Sequence, residues 1–226
     1  MEYKNIESGV FISRPNRFIA QVEIGGQLHT VHVKNTGRCA ELLTPNAQVI
    51  LERSSNQSRK TLYDLVAVYK NGSLINMDSQ APNKAVFEWL AGGGLIKSPT
   101  LIKPEKTYGS SRLDFYIENE NEKYFVEVKG VTLEENKIAM FPDAPTERGR
   151  KHLNELIKAK QEGFGAAVIF LIQMKGCKYF TPNKKTDSPF ADCLKKAQES
   201  GVEIIALDCI VTPSSMTADE RIEVKL

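Results

Sequence analysis

The hydrophobic pattern of the chain changes near residue 80, and this change constrains the fold more than any other feature. Before it, apolar and polar residues alternate, and turn-forming pairs such as Gly25-Gly26 and Asn71-Gly72 separate the alternating stretches. Alternation with period two is typical of half-buried strands, and it predicts strands over residues 17–24, 27–33, 47–53, 62–70 and 74–78. Five short strands with almost no helical period predict an OB-like β-barrel over residues 1–80.

The remainder, residues 81–226, alternates between helical and strand patterns. Helices are predicted over residues 83–90, with Asn83 as N-cap, and over 146–162 and 188–200, each ended by glycine. Strands are predicted over residues 111–118, 123–132, 165–174 and 202–209. The third contains an unbroken apolar run, which is typical of a strand buried on both faces. This order predicts a second domain of the α/β class, so that the chain as a whole is α+β.

Composition excludes several classes of protein. The chain is 41% hydrophobic and 26% charged, which is typical of a globular protein and not of a disordered chain or a coiled coil. Its net charge of +2 gives no support to a histone-like nucleic-acid binder. The longest apolar run, Ala166 to Ile172, is far shorter than the roughly 20 residues of a membrane span. With no secretory pattern at the N-terminus, we expect a soluble, cytoplasmic protein that has no membrane partner.

The four cysteines form no CxxC pair and no alternating cluster with histidine. A structural zinc site is therefore not expected. Scattered cysteines without an export signal are better interpreted as buried thiols than as disulfides.

One predicted hairpin, residues 111–129, brings acidic and basic side chains together. If it is symmetric about the bond between residues 120 and 121, Asp114 lies opposite Glu127, with Cβ atoms roughly 4.5–5.5 Å apart. Lys129 then points to the same face as Glu127. The opposite face holds the apolar residues of both strands: Leu113, Phe115, Ile117, Val126 and Val128.

Opposed carboxylates repel one another unless a cation lies between them. Mg²⁺ prefers sites with one or two carboxylates, and a neighbouring ammonium can orient a water or stabilise charge on phosphorus. The pattern therefore indicates a metal-dependent phosphodiesterase, with Asp114 and Glu127 holding Mg²⁺ or Mn²⁺ and Lys129 assisting the attacking water. A solvated hairpin is the alternative, because Glu-x-Lys occurs four times in the chain and charged strand faces are common.

Two basic groups are candidates for contacts with nucleic acid. Arg148, Lys151 and His152 lie within one helical turn, where Arg148 and His152 can approach a phosphate together. A surface or structurally satisfied histidine is the alternative. Arg38 follows a strand in the segment Asn35-Thr36-Gly37-Arg38, which suits either a phosphate-binding loop or a helix-capping turn.

Several longer signatures occur in a fixed order along the chain. They are His32-Val33-Lys34-Asn35-Thr36-Gly37-Arg38, Glu41-Leu42-Leu43, Pro82-Asn83, Ser111-Arg112-Leu113-Asp114-Phe115, Glu127-Val128-Lys129, Phe141-Pro142-Asp143-Ala144, Thr146-Glu147-Arg148-Gly149 and Lys151-His152-Leu153. Together they resemble the sugar fermentation stimulation protein A family over essentially the whole chain.

The resemblance implies an OB-like first domain and a second domain similar to the PD-(D/E)XK nucleases, with a restriction-endonuclease-like fold. It also implies DNA binding, metal-site roles for Asp114 and Glu127, and a catalytic role for Lys129. Glu88 matches a position where such folds supply a further acidic residue at the metal. Two functions follow: a metal-dependent nuclease, or a non-catalytic DNA-binding regulator of sugar-utilisation genes. The intact Asp114, Glu127 and Lys129 favour the nuclease, since a pure binder has no need to oppose two carboxylates.

Overall fold

The computed structural model describes residues 1–35 and 37–226; Thr36, part of the predicted Asn35–Arg38 loop, lies outside the described residues. The first part of the chain is a β-barrel. Its strands are β1 (Ile6–Asn16), β2 (Ile19–Ile24), β3 (Gln27–Val33), β4 (Gln48–Arg53), β5 (Tyr63–Lys70) and β6 (Ser73–Asn76). They are ordered β3-β2-β1-β4-β5-β6, and a parallel pairing of β3 with β5 closes a barrel of five strands. The predicted OB-like barrel is confirmed.

The strand list of the barrel differs from the prediction at its beginning. Strand β1 was missed because Phe11 is its one buried residue, so the strand lacks a clean alternation of apolar and polar positions. The strand predicted to begin at residue 17 begins at Ile19 instead, since Phe18 lies at the turn and is exposed. The fifth predicted strand is β6, which pairs with β5 outside the closed barrel.

The second part of the chain is an α/β domain. Its elements are α1 (Ala81–Ala91), β7 (Leu101–Tyr108), β8 (Ser111–Glu118), β9 (Lys123–Val131), β10 (Leu133–Glu135), β11 (Ile138–Phe141), α2 (Glu147–Gln161), β12 (Gly165–Ile172), β13 (Tyr179–Pro182), α3 (Ser188–Glu199), β14 (Glu203–Thr212), β15 (Ser215–Arg221) and β16 (Glu223–Val224). The main sheet has the order β15-β14-β12-β9-β8-β7, and β9, β12 and β14 run parallel at its centre. A small second sheet is ordered β10-β11-β13-β16.

Helices cover both faces of the main sheet. Alternate residues of β12 enter two different core clusters: Ala166, Val168 and Phe170 join the cluster that holds Leu153 of α2 and Phe190 of α3. Ala167, Ile169 and Leu171 join the cluster that holds Ala85, Val86 and Leu90 of α1. This is the two-sided burial expected of the apolar run, and it confirms the predicted α/β architecture.

Capping explains where the helices begin. Thr146 caps α2, as its hydroxyl accepts a hydrogen bond from the Gly149 N–H at 3.0 Å. The first helix begins earlier than predicted, because Pro82 near its N-terminus is pre-set for helical geometry and Gln80 occupies the N-cap position. Asn83 is therefore not the cap and lies inside the first turn, which frees its side chain for another contact.

A buried polar network joins the barrel to the α/β domain. Asp78 is fully buried and pairs with the Lys34 ammonium at 2.8 Å. Asn76 donates from its backbone N–H to the Gln173 carbonyl oxygen at 2.9 Å, and the Gln173 amide donates to the Asn76 side chain at 3.0 Å. These paired contacts fix the barrel against the end of β12.

Among the described residues, no helix is long and apolar enough to cross a membrane. All four cysteines are free; Cys39 and Cys209 are buried, as predicted, while Cys177 and Cys193 are partly exposed.

Candidate metal centre

The candidate centre is built on the hairpin of β8 and β9. Four residue pairs, from Glu118–Lys123 to Phe115–Val126, follow the predicted register. The pairing ends there, immediately before Asp114, so Asp114 lies where the two strands separate. Leu113 differs from the prediction: it packs in the cluster under α2, whereas Phe115 and Ile117 pack in the cluster under α1. Burial still alternates along β8, so Leu113 and Phe115 are both buried, but they belong to different core clusters.

Asp114 is fixed by two hydrogen bonds from different elements. Its Oδ2 accepts from the backbone N–H of Val128 at 2.7 Å, and its Oδ1 accepts from the Asn83 side-chain amide of α1 at 3.0 Å. Burial and the negative charge of Glu127 raise the pKa of Asp114 above its ordinary value, against the lowering effect of these bonds and of Lys129. Sequence reasoning missed the role of Asn83, although Asn83 belongs to one of the family signatures.

Glu127 is buried, with 2% of the residue exposed. Its Oε1 accepts a hydrogen bond from the Lys129 ammonium at 2.6 Å and also contacts Nδ1 of His152. Its Oε2 is buried and has no hydrogen-bond partner within the described chain. Burial alone would raise the pKa of Glu127, but the His152 hydrogen bond and the Lys129 charge outweigh it and hold the pKa below its ordinary value.

These carboxylates suit a divalent metal. The unpartnered Oε2 of Glu127 is an anionic buried oxygen available as a ligand, and each Asp114 oxygen keeps a lone pair beyond its one hydrogen bond. Hard cations such as Mg²⁺, Mn²⁺ and Ca²⁺ prefer oxygen ligands of this kind.

His152 links the centre to the outer surface of α2. Nδ1 of the ring faces Glu127, and Nε2 accepts from Nε of Arg148 at 3.4 Å. The sequence predicts a nucleic-acid contact for His152; in the structure the residue is 5% exposed, and both ring nitrogens are used within the protein. Its contact with Oε1 holds the Glu127 carboxylate in place.

Glu88 lies on α1 and lines the same cavity as Asn83 and Asp114, with a volume of about 620 Å³. Its carboxylate accepts from the Met1 ammonium at 2.6 Å. The residue of α1 that contacts Asp114 directly is Asn83, not Glu88.

The predicted basic residues lie on two different flanks of the centre. Arg148 and Lys151 are exposed on α2 and line a cavity of about 550 Å³. Arg38 lines a separate cavity of about 460 Å³ between the barrel and the α/β domain, next to Pro82 and Gly130. The loop that carries Arg38 is held by the Arg14 guanidinium, which donates to the carbonyl oxygens of residues 17, 35, 37 and 38. Both cavities lie next to the centre, because His152 lines the first and Gly130, which follows Lys129, lines the second.

A second acidic group, which sequence reasoning missed, lies on β14 and β15. Asp208, Asp219 and Glu220 have oxygens within 4.8 Å of one another. The Lys175 ammonium contacts all three carboxylates at 2.5 to 3.2 Å. This group therefore carries its own cation, and that cation, Lys175, lies more than 30 residues before the carboxylates in sequence, so no local pattern predicts the group.

The comparisons agree with the two-part fold. The family model of the sugar fermentation stimulation protein RE domain matches residues 80–215, and that of the SfsA N-terminal OB domain matches residues 12–77. Sugar fermentation stimulation protein homologues of Ruminiclostridium cellulolyticum and Clostridium beijerinckii are 54% and 55% identical over 226 residues, covering 100% of this chain and 100% of each relative.

A solved structure of Pyrococcus furiosus SfsA in complex with Ca²⁺ is similar to this chain with a TM-score of 0.90 and 31% sequence identity. The match covers 100% of this chain and 98% of that one. The chain therefore belongs to the SfsA family, with an N-terminal OB domain followed by a restriction-endonuclease-like domain.

Proposed function

We propose that this protein is a metal-dependent nuclease that binds DNA and hydrolyses phosphodiester bonds, with Mg²⁺ or Mn²⁺ held by Asp114 and Glu127. The observation that carries the proposal is the buried, unpartnered Oε2 atom of Glu127. A buried anionic oxygen without a donor costs free energy unless a cation engages it. Asp114, whose raised pKa reflects burial and the charge of Glu127, is stabilised as an anion by the same cation.

The relative of known structure supports a divalent ion. Pyrococcus furiosus SfsA has been solved in complex with Ca²⁺. Ca²⁺ and Mg²⁺ are both hard cations that take carboxylate oxygens, and they differ mainly in coordination number and rigidity. We extend cation binding to Asp114 and Glu127 of this chain, and Glu88 remains a candidate for a further acidic group.

The proposed reaction forms a bond from a water oxygen to phosphorus and breaks one phosphorus–oxygen ester bond, which leaves a phosphate monoester and a hydroxyl group. When bound, the metal would supply Lewis acidity at a phosphoryl oxygen and lower the pKa of a bound water. Lys129 lies 2.6 Å from Glu127 Oε1, where its ammonium can orient the attacking water and stabilise negative charge on phosphorus. His152 and Lys129 both engage Oε1, so Oε2 is left for the ligand role.

Three features support nucleic acid as the substrate. The barrel belongs to the OB class, whose members often bind single-stranded nucleic acid through one face. Arg148 and Lys151 supply positive charge on one flank of the centre, and Arg38 supplies it on the other. A strand that crosses the centre can therefore be held by its phosphates on both sides.

The proposal is tested by incubating the protein with single- and double-stranded DNA and RNA, with Mg²⁺, with Mn²⁺ and with chelator. We expect metal-dependent cleavage of DNA by the native protein and none with chelator. Glu127→Gln should lose both Mn²⁺ binding and cleavage, because it replaces an anionic ligand by an amide. Asp208→Asn is the matched control, and it should cleave as the native protein does.

Absence of cleavage over the whole panel would contradict the nuclease function. DNA binding without cleavage would then favour the regulator of sugar-utilisation genes.

A further inference from the structure

The cavity on the α2 side of the centre has residues that the proposed reaction does not use. It has a volume of about 550 Å³. Its lining comes from the start of β8 and the first turns of α2, and includes Ser111, Arg112, Glu147, Arg148, Lys151 and His152. We propose that this cavity is a phosphate subsite, which binds a non-scissile phosphate of the nucleic-acid strand through the Ser111 hydroxyl and the Arg112 and Arg148 guanidinium groups. The identity of the ligand as nucleic acid rests on the proposed function; the affinity for a phosphate group does not.

Ser111 provides the most specific observation. The residue is 7% exposed, and its Oγ has no hydrogen-bond partner among residues 1–35 and 37–226. A buried hydroxyl without a partner lowers stability, so it is seldom kept without a ligand. The hydroxyl can donate to a phosphate oxygen, and this bond to a charged acceptor is stronger than one between neutral groups.

The charge of the cavity favours an anion. Three lining residues are basic and one, Glu147, is acidic. Arg112 contacts Glu105 at 3.5 Å, but both side chains are more than 60% exposed, so this ion pair holds the guanidinium weakly. Arg148 uses its Nε toward His152, which leaves the two terminal nitrogens of its planar fork for paired contacts with phosphate oxygens.

The rim of the cavity is held in place before any ligand binds. The turn between β7 and β8 is fixed to α2, since Ser110 Oγ donates to Glu155 Oε1 at 3.0 Å and the Lys151 ammonium donates to the Ser110 carbonyl at 2.9 Å. Gly109 has a φ of +54°, a left-handed conformation that glycine adopts without strain. A preorganised rim reduces the entropy lost on binding.

The position of the cavity identifies the phosphate as a neighbour of the scissile one. His152 lines the cavity and also contacts Glu127, so one imidazole ring separates the subsite from the proposed metal ligand. Phosphates repeat along a strand, and a strand that presents one phosphate to Asp114 and Glu127 carries the next within reach of α2. The subsite thus fixes the register of the strand over the centre.

The experiment uses inorganic phosphate as the probe, in chelator, so that no cleavage or metal is needed. Amide chemical shifts of the full-length protein are followed by NMR during a phosphate titration. We expect shifts confined to residues 110–112 and 148–152, with affinity lowered about tenfold in Ser111→Ala and in Arg112→Gln. Arg53→Gln is the matched control, as Arg53 is an exposed barrel arginine with a similarly weak ion pair, and it should leave phosphate affinity unchanged.

Thermal stability separates a ligand role of Ser111 from a structural one. Ser111→Ala removes a buried hydroxyl that has no partner, so the variant should be as stable as the native protein or more so, while it binds phosphate less well. A structural serine would instead lower stability. Three results would each overturn the subsite. The first is a loss of stability in Ser111→Ala. The others are phosphate-induced amide shifts that are absent or lie elsewhere in the protein, and a phosphate affinity that is unchanged in both Ser111→Ala and Arg112→Gln.

The salt dependence of DNA binding in chelator supplies an independent measurement. Arg112→Gln should lower the slope of log affinity against log salt concentration by about one, and Arg53→Gln should not. If DNA is cleaved but these variants bind phosphate and DNA normally, the subsite is wrong and the nuclease function stands. If phosphate binds here and no DNA is cleaved, the subsite stands and the nuclease function is wrong.

Discussion

Two groups of carboxylates lie on the same six-stranded sheet and differ in what neutralises them. On β14 and β15, Asp208, Asp219 and Glu220 surround the Lys175 ammonium. On β8 and β9, Lys129 contacts Oε1 of Glu127, while Oε2 of the same carboxylate has no partner within the described residues. The Lys175 ammonium neutralises the first group, whereas the second group keeps a buried anionic oxygen without a partner.

The difference shows that the number of acidic side chains does not mark a metal site. The group on β14 and β15 brings three carboxylates within 4.8 Å, yet a lysine satisfies them. Asp114 and Glu127 are only two, but burial and mutual repulsion raise the pKa of Asp114. A bound metal neutralises carboxylate charge that no other group neutralises. Unpaired negative charge is therefore a better indicator of a metal site than the number of carboxylates.

The largest effect is expected from replacing Lys129 and, in a separate variant, Lys175 by methionine. Lys129→Met should lower the rate of cleavage at least about a hundredfold while Mn²⁺ still binds, because it removes a preorganised charge beside the reacting phosphate. Lys175→Met should leave the rate unchanged and lower the free energy of unfolding by about 1 kcal/mol, since its ion pairs are partly solvated. Cleavage assays and thermal unfolding of both variants measure this contrast. Equal loss of activity in the two variants would show that the carboxylates beside Lys129 and those around Lys175 do not differ in function.

A somewhat smaller effect is expected at Asn83, which orients Asp114 from α1. Asn83→Ala removes the hydrogen bond to Asp114 Oδ1. Loss of a group that orients a metal ligand commonly lowers metal affinity about 10- to 100-fold. Calorimetric titration with Mn²⁺ measures the change, with Asn154→Ala on the exposed face of α2 as the control. Unchanged Mn²⁺ affinity in Asn83→Ala would remove Asn83 from the centre.

The pH dependence of metal affinity should reflect Asp114. A carboxylate must be deprotonated to bind a metal, and the pKa of Asp114 is raised, so Mn²⁺ affinity should begin to fall at a pH above the ordinary carboxyl range. Below that pKa, the affinity should fall about tenfold per pH unit, as one proton competes with the metal. Glu127, with its lowered pKa, should contribute only at lower pH. Titrations at several pH values test this; affinity that is flat down to the ordinary carboxyl range would argue against Asp114 as a ligand.

The smallest expected effect concerns the three carboxylates around Lys175. Lys175→Ala leaves three carboxylates within 4.8 Å without their cation, and Ca²⁺ should then bind there. At a concentration of ten times its dissociation constant, such a ligand stabilises the fold by about 1.4 kcal/mol. The measurement is the rise in Tm with Ca²⁺ for Lys175→Ala combined with Glu127→Gln, compared with Glu127→Gln alone. Equal responses of the two proteins would show that Lys175 does not substitute for a metal.

Local pattern was sufficient for much of this architecture. Period two and a polar turn predicted the register of β8 and β9, and the apolar run predicted the central strand β12. These features depend on neighbours in sequence. Strand β1 was missed because its faces are not cleanly amphipathic.

The contacts that define the centre depend instead on packing between distant elements. His152 reaches Glu127 only because α2 lies across β9, and Asn83 reaches Asp114 only because α1 begins at Ala81. The group around Lys175 joins residues from the end of β12 to β15 and has no local signature. Sequence patterns therefore named the carboxylates, and tertiary structure identified which oxygen remains free.

Anomalous scattering from a crystal of the native protein soaked in Mn²⁺ shows where the metal binds. We expect a manganese peak in contact with Asp114 and with Oε2 of Glu127, and none among Asp208, Asp219 and Glu220, where Lys175 lies. At saturating Mn²⁺, a peak only at the Lys175 group, or no peak beside Glu127, would rule out a metal centre at Asp114 and Glu127.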